Sequence, residues 1–255
     1  MTSFFRDKDS FEVLKNIAIP EICKNKNKQQ LIRIWIAGCS TGEEVYSIAI
    51  LFEDYIRNNK LGLEYKIFAT DIDKNALRQA SLGIYPVNVS GEIEKNYFEE
   101  YFVKTGEKIQ IIKRIREKVV FSYHDVAKDP PFINVDLISC RNLLIYLNNE
   151  AQNKVIANFS FALNNGGYLF LGNSETLGGF SSSFKSIDAK YKIFQNIADN
   201  KRIVLDNKIE NETGFASFKN FDSNYPRKYY YKSTKYQEND FYSYLCKKRA
   251  PVSVL

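Results

Sequence analysis

The stretch Arg33 to Ser47, RIWIAGCSTGEEVYS, narrows what the chain can fold into more than any other. Ile34, Trp35, Ile36 and Ala37 are nearly continuous hydrophobics, the pattern of a parallel strand covered on both faces. Gly38, Cys39, Ser40, Thr41 and Gly42 then let the backbone turn tightly and leave room for a ligand to approach it. Glu43 and Glu44 fall in the first turn of a following helix, where acids suit the helix dipole. Val45, Ile48, Ala49, Phe52, Tyr55 and Ile56 recur at helical spacing and lay one apolar stripe on the sheet. The unit is a nucleotide-type strand, turn and helix, and the fold class it predicts is α/β.

It is not the pyrophosphate-binding version of that unit. GxGxxG is absent, no lysine follows the turn, and two carboxylates stand where a phosphate clamp wants amides and cations. The next strand, Tyr65 to Ala69, ends in Thr70 and Asp71, and an acid there accepts hydrogen bonds from both ribose hydroxyls. The ligand this implies is an adenosine without phosphates and with a cationic end, a description that S-adenosylmethionine fits. The alternative for this stretch alone is an ordinary strand, turn and helix with solvated glutamates.

At 255 residues the chain can bury a full α/β core plus a small appendage. Its net charge of +6 favours acidic partners weakly, short of the concentrated charge of a nucleic-acid binder. Cys23, Cys39, Cys140 and Cys246 show no CxxC spacing, and His124 is the single histidine, so no metal set is expected. No stretch approaches the roughly 18 apolar residues of a membrane span, and the N-terminus lacks a signal-peptide core. A cytoplasmic chain with reduced thiols and no membrane insertion is the expectation.

Along the chain, Phe11, Leu14 and Ile17 predict an amphipathic helix behind an abrupt, hydrophobic start, and Lys24 to Gln30 a basic connecting loop. A start of this kind suggests that something normally precedes it. Asp73 to Leu82 is a helix with Asp73 as N-cap and Gly83 as its stop. Ser90 to Phe102 reads as another. From Lys104 to Tyr123 the period turns strand-like, with Lys108, Lys113, Arg114, Arg116 and Lys118 interleaved, which predicts a small antiparallel insertion with a basic face. Asp125 can receive an adenine amino group or be an exposed turn acid, and His124 reads as a core or turn histidine. Val135 to Cys140 is a further buried strand running into Arg141, Asn142 and, beyond, Tyr146. Polar residues placed directly after a parallel strand sit at the ligand-binding edge of an open α/β sheet. Glu150 to Leu163 is a helix stopped at Asn165-Gly166-Gly167, Tyr168 to Leu171 a strand followed by a polar loop at Asn173 to Thr176, and Tyr191 to Phe194 an antiparallel edge strand. Beyond about Asp199 hydrophobic periodicity weakens, as in a linker or tail, with a helix near Asp240 to Lys248. The domains read as 1–28, a leading helix and lid segment; 29–198, the binding domain; and 199–255.

Five ordered motifs, TSFFRD (Thr2 to Asp7), AGCSTGEEVYSIAI (Ala37 to Ile50), ATDID (Ala69 to Asp73), DLISCRNLLIYL (Asp136 to Leu147) and GGYLFLGNSETLGG (Gly166 to Gly179), resemble the CheR family of chemotaxis receptor methyltransferases. The resemblance implies a Rossmann-like class I methyltransferase sheet carrying a small antiparallel β-subdomain. It implies transfer of the S-adenosylmethionine methyl group to glutamates on the cytoplasmic domains of chemoreceptors, giving glutamate methyl esters and S-adenosylhomocysteine. Carried over, Thr2 and Arg6 match cofactor contacts near the methionine end. Gly38, Ser40, Thr41, Gly42, Glu43 and Glu44 match the turn, with Glu44 its acid. Asp71 matches the ribose acid, Asp125 and Val126 the adenine wall, and Arg141 and Asn142 the contacts after the strand. Arg6 and Tyr146 match the pair beside the reacting carboxylate.

The chain also departs from the pattern. Free-standing members carry a helical domain ahead of TSFFRD, and the Lys104 to Tyr123 insertion looks shorter and poorer in glycine than in members that grip a receptor's C-terminal peptide. Arg249 to Leu255 resembles the junction to a sensor domain in fusions of a methylesterase, this methyltransferase and PAS modules. Two competing readings remain: a cofactor-binding regulatory module without turnover, and an RNA methyltransferase suggested by the basic insertion and the Tyr-rich tail.

Overall fold

The structure is a computed structural model and describes residues 2–198. The expectations for the tail, including its helix near Asp240, the sensor-domain junction and Cys246, lie outside the described residues. Strand β1 (Leu31–Ala37) leads through the glycine turn into helix α3 (Glu43–Asn58), which follows α1 (Lys8–Val13) and α2 (Ile19–Lys24). Then come β2 (Glu64–Asp71), α4 (Lys74–Leu82), β3 (Ile84–Pro86), α5 (Lys95–Tyr101), β4 (Phe102–Thr105), β5 (Lys108–Ile111), the short α6 (Lys113–Arg116) and β6 (Val119–Tyr123). The chain closes with β7 (Val135–Cys140), α7 (Asn149–Ala162), β8 (Leu163–Leu171), β9 (Phe184–Asp188) and β10 (Ile193–Asn196).

Seven strands form the main sheet in the order β6-β2-β1-β7-β8-β10-β9. The first five are parallel, and β10 runs antiparallel between β8 and β9. The order reverses between β1 and β7, and at such a switch point the loops after the two strands diverge and open a crevice. This is the Rossmann-like sheet expected of a class I methyltransferase. Both faces are covered, and all six residues of β7 are buried, Asp136 and Ser139 among them. On one face Phe52 of α3 stacks on Tyr65; on the other Trp35 meets Phe159 of α7 and Phe132, which also stacks on Phe68. Pro130-Pro131-Phe132 is therefore a loop whose aromatic seals the second face.

Local chemistry explains the ends of α4. The Asp73 carboxylate accepts from the Asn75 and Ala76 amides, and Gly83 stops the helix at φ 60°. Other boundaries differ from the sequence reading. A π-helical segment at Leu14–Ala18 joins α1 to α2. Its wider turn rotates the apolar stripe, so Phe11, Leu14, Ala18 and Ile19 are buried while Ile17 is exposed. The helix expected from Ser90 is a 3₁₀ segment, Val87–Glu92, that breaks before α5. The small antiparallel sheet is β3-β5-β4 and spans Ile84 to Ile111 rather than Lys104 to Tyr123. Val119–Tyr123 instead joins the main sheet beside β2; as an edge strand it is half exposed and mimics an independent hairpin in sequence. The basic residues there form no continuous free face. Arg114 pairs with Glu53 at 3.0 Å, Lys113 with Glu117 at 3.7 Å, and Lys118 with Glu64. At the far end α7 stops at Ala162, and Asn165-Gly166-Gly167 lie within β8, where the register with β7 shifts. β10 is an inner strand, and β9, missed in the sequence, is the edge.

Candidate functional site

The registers Ala37 with Thr70, Asp71 with Tyr123 and Cys140 with Leu171 bring the carboxyl ends of five parallel strands to one rim. Positive backbone φ angles gather along that rim: Gly38 at 74°, Ser40 at 47°, Gly42 at 93° and Asn142 at 59°. Non-glycine residues hold such angles only where their surroundings impose them. The glycines are required by packing as well as by φ. A Cβ at Gly38 would lie 3.0 Å from Leu143, and one at Gly42 2.9 Å from Ala80. The space they leave is thus filled in part by the chain itself.

The Ser40 amide donates to Asp71 Oδ2 at 2.7 Å, and the Asp73 amide to Asp71 Oδ1 at 2.9 Å. Each carboxylate oxygen keeps a further lone pair. Thr41 Oγ1 donates to Glu43 at 2.7 Å, and burial pushes the Glu43 carboxyl above its usual range against that bond. The Thr2 hydroxyl also hydrogen-bonds Glu43. Glu44 accepts from Ser139 Oγ at 2.7 Å and from Arg141 Nη1 at 3.3 Å. Burial raises the Glu44 carboxyl and Arg141 opposes the rise.

Arg141 is a buried hub. Its Nη2 donates to Asp7 Oδ2 at 2.6 Å and to the Arg6 carbonyl at 3.1 Å, and its guanidinium sits over the rings of Phe11 and Phe170. It thereby ties the TSFFRD turn to the end of β7. That turn is strained on both sides of Arg6, with Phe5 at φ 47° and Asp7 at φ 60°. It is anchored by buried Phe4 and Phe5, by the Phe5 amide on Ser47 Oγ at 2.9 Å and by the Phe4 amide on Glu92 at 2.9 Å. Across the rim, Asp125 accepts from the Ala127 amide and pairs with Lys128 at 3.1 Å; these outweigh its partial burial and lower its pKa. Val126 beside it is buried, and Tyr146 is 80% exposed.

Residues 1–193 match the family model described as the CheR methyltransferase, SAM binding domain. The chain belongs to the CheR methyltransferase family. A chemotaxis protein methyltransferase of Borreliella burgdorferi is 33% identical over 199 residues, 75% of this chain and 69% of that protein. An uncharacterized 104.1 kDa protein of Rhodobacter capsulatus is 37% identical over 195 residues, 76% of this chain. The aligned part spans only 20% of that larger protein. The solved structure of TehB from Haemophilus influenzae shares 14% identity over 71% of this chain and 51% of that one, at a TM-score of 0.41.

The CheR rim suits S-adenosylmethionine. Acids rather than cations line the turn, the Asp71 oxygens have lone pairs to spare for hydroxyls, and Ile72, 61% exposed beside Asp71, offers an apolar surface for a flat base. Among the described residues no cluster of His, Cys, Asp and Glu could hold a metal. Burial raises the thiols of Cys39 and Cys140 well above their ordinary values, so neither is a ready nucleophile.

Sequence reasoning missed four contributors. Ile72 had a signal, being the apolar residue directly after a strand-end acid. Asp7 and Ser139 act through Arg141 and Glu44, contacts 134 and 95 residues apart in sequence. Glu175 looked like one more polar loop residue, yet it is 3% exposed.

Proposed function

We propose that this CheR domain methylates glutamate side chains on the cytoplasmic domains of chemoreceptor-type proteins, in the cytoplasm, producing glutamate methyl esters. The observation that carries the reading is the strained, anchored turn that holds Arg6 at the same rim as Asp71 and the Tyr146 loop. No helix among the described residues is long and apolar enough to cross a membrane.

S-adenosylmethionine, when bound, supplies an electrophilic methyl group on a positive sulfur. Asp71 would accept hydrogen bonds from the ribose hydroxyls, Ile72 and Val126 would flank the adenine, and Asp125 would receive its amino group. Thr2, Ser40, Thr41 and Asn142 would contribute polar contacts along the turn, Gly38 and Gly42 give the turn its shape by their positive φ and close packing, and Glu43 and Glu44 would keep the field around the cationic end negative. Arg141 contributes by fixing Arg6 and Glu44. A glutamate acceptor, with a pKa near 4.3, is ionised at neutral pH, so the chain needs no general base. The bound cofactor would supply the methyl carbon for direct displacement by the acceptor's carboxylate oxygen, with the electron pair of the broken carbon–sulfur bond left on sulfur. Arg6 would orient the carboxylate towards the methyl carbon, and the Tyr146 hydroxyl would donate to it. Three of the five basic residues from Lys108 to Lys118, namely Lys113, Arg114 and Lys118, pair with acids, which does not favour RNA as the acceptor.

The test is incubation with methyl-labelled S-adenosylmethionine and host membranes, followed by mild base. Volatile labelled methanol is the expected product; label that stays with the protein after base would point to an N-methyl product and against this reading.

A further inference from the structure

The buried carboxylate of Glu175 is not spent on a cation. Its Oε1 accepts from the amides of Leu143 at 2.9 Å and Leu144 at 2.8 Å, and its Oε2 from the Gly172 amide at 2.6 Å. Three backbone donors on one buried acid is a strong, charge-assisted arrangement, and removal of the acceptor would leave buried N–H groups unpaired. The loop after β8 is shaped to deliver it. A Cβ at Gly172 would lie 2.8 Å from Glu175 Oε2 and 3.1 Å from the Asn142 amide, so only glycine lets the two loops approach.

The segment clamped in this way is the one that bears Tyr146. Leu144–Tyr146 is a single 3₁₀ turn entered from Asn142 at φ 59°. Gln152 pins its far side, donating to the carbonyls of Leu144 at 3.0 Å and Leu147 at 2.9 Å. Since the Tyr146 side chain stands 80% exposed, its aim depends on the rigidity of the turn beneath it. We infer that Glu175 is a positioning residue for methyl transfer, locking the Asn142–Tyr146 turn so that Tyr146 meets the acceptor carboxylate; this rests on the methyltransferase reading above. A loop held by a buried anion across two strand ends costs order in advance and spares it at the reaction.

The experiment compares wild type with Glu175→Gln, whose amide NH₂ must face at least one backbone N–H whichever way it sits. Single-turnover methyl transfer to a purified chemoreceptor cytoplasmic fragment, calorimetry with S-adenosylhomocysteine and amide hydrogen exchange are measured together. The expected result is a rate lower by tenfold or more, affinity changed by less than threefold, and at least one of the Gly172, Leu143 and Leu144 amides exchanging tenfold faster while Ile138 of β7 is unchanged. In a Tyr146→Phe background Glu175→Gln should lower the rate no further. A wild-type rate in Glu175→Gln, or losses that multiply in the double variant, would overturn the inference. Should Glu175→Gln fold poorly, Gln152→Ala, which loosens the same turn from its other side, must show the same split between rate and affinity; a wild-type rate there also overturns it. Failure of the underlying reading would be visible separately, as a wild-type chain that transfers no methyl.

Discussion

Arg6→Ala should lower the rate of methyl transfer by about a hundredfold, the scale lost when a reacting group is misaligned by roughly an ångström. The backbone around Arg6 makes the case. Phe5 and Asp7 both occupy the left-handed region, at a cost of about 1–2 kcal/mol for Phe5 and less for Asp7. The fold overcomes that cost with two buried rings, two side-chain acceptors for the Phe4 and Phe5 amides, and the Arg141 guanidinium on Asp7 and on the Arg6 carbonyl. Strain held so firmly at a rim exists to present what lies between. The anchors named here, the Arg6 carbonyl included, all remain in Arg6→Ala, so the turn should keep its backbone shape. Arg6→Lys should recover little, since an ammonium cannot reproduce the planar, forked contact of guanidinium with carboxylate. Initial rates with labelled cofactor at saturating acceptor check this; a wild-type rate in Arg6→Ala would remove Arg6 from the reaction.

Arg141→Met should destabilise the domain by about 3–5 kcal/mol, the usual consequence of removing one partner from a buried ion pair, out of a total of about 5–15. The guanidinium side chain is 1% exposed and its partner Glu44 17%. Methionine keeps much of the contact with Phe11 and Phe170, so the loss is electrostatic. The pH dependence has a definite sign. Burial already raises the Glu44 carboxyl in the folded chain, so the folded state holds that proton more tightly than the unfolded state does, and stability from this group falls as pH rises through the raised value. Without Arg141 the carboxyl rises further. The deficit of Arg141→Met should therefore be largest near neutrality and shrink as pH falls towards the ordinary carboxylate range. Adding Glu44→Gln should return part of the loss, so the two substitutions are not additive. Denaturant unfolding at two pH values measures all of this; a deficit independent of pH, or simple additivity, would show that the pair is not the strut described.

These two expectations also show where the chain was legible. The unit from Arg33 to Ser47 announced itself because a strand buried on both faces must be continuously apolar, and Asp71, Arg141 and Asn142 were legible as residues of the rim because they stand at the carboxyl ends of buried strands. The place of Val119–Tyr123 was not, since its partner β2 lies some fifty residues earlier and a half-exposed edge strand alternates like a free hairpin. The π-helical segment hid in the same way: one wider turn shifts the stripe off Ile17 without any marker in composition. Arg141 was legible as a position and not as a hub, because its partners are 97 and 134 residues away. Glu175 was least visible of all. Its partners are backbone amides, which every residue but proline carries, and nothing in an Asn-Ser-Glu-Thr loop tells a solvated acid from a buried clamp.

The central claim is that the rim between β1, β2 and β7 holds S-adenosylmethionine with Asp71 on its ribose. Calorimetric titration of the purified chain with S-adenosylmethionine, wild type beside Asp71→Ala, tests it most directly. The wild type should bind saturably, one to one, and the variant at least tenfold more weakly, as expected when a charged hydrogen-bond acceptor is lost. A wild-type chain that gives no saturable heat, or an Asp71→Ala variant that binds as tightly as wild type, would contradict it.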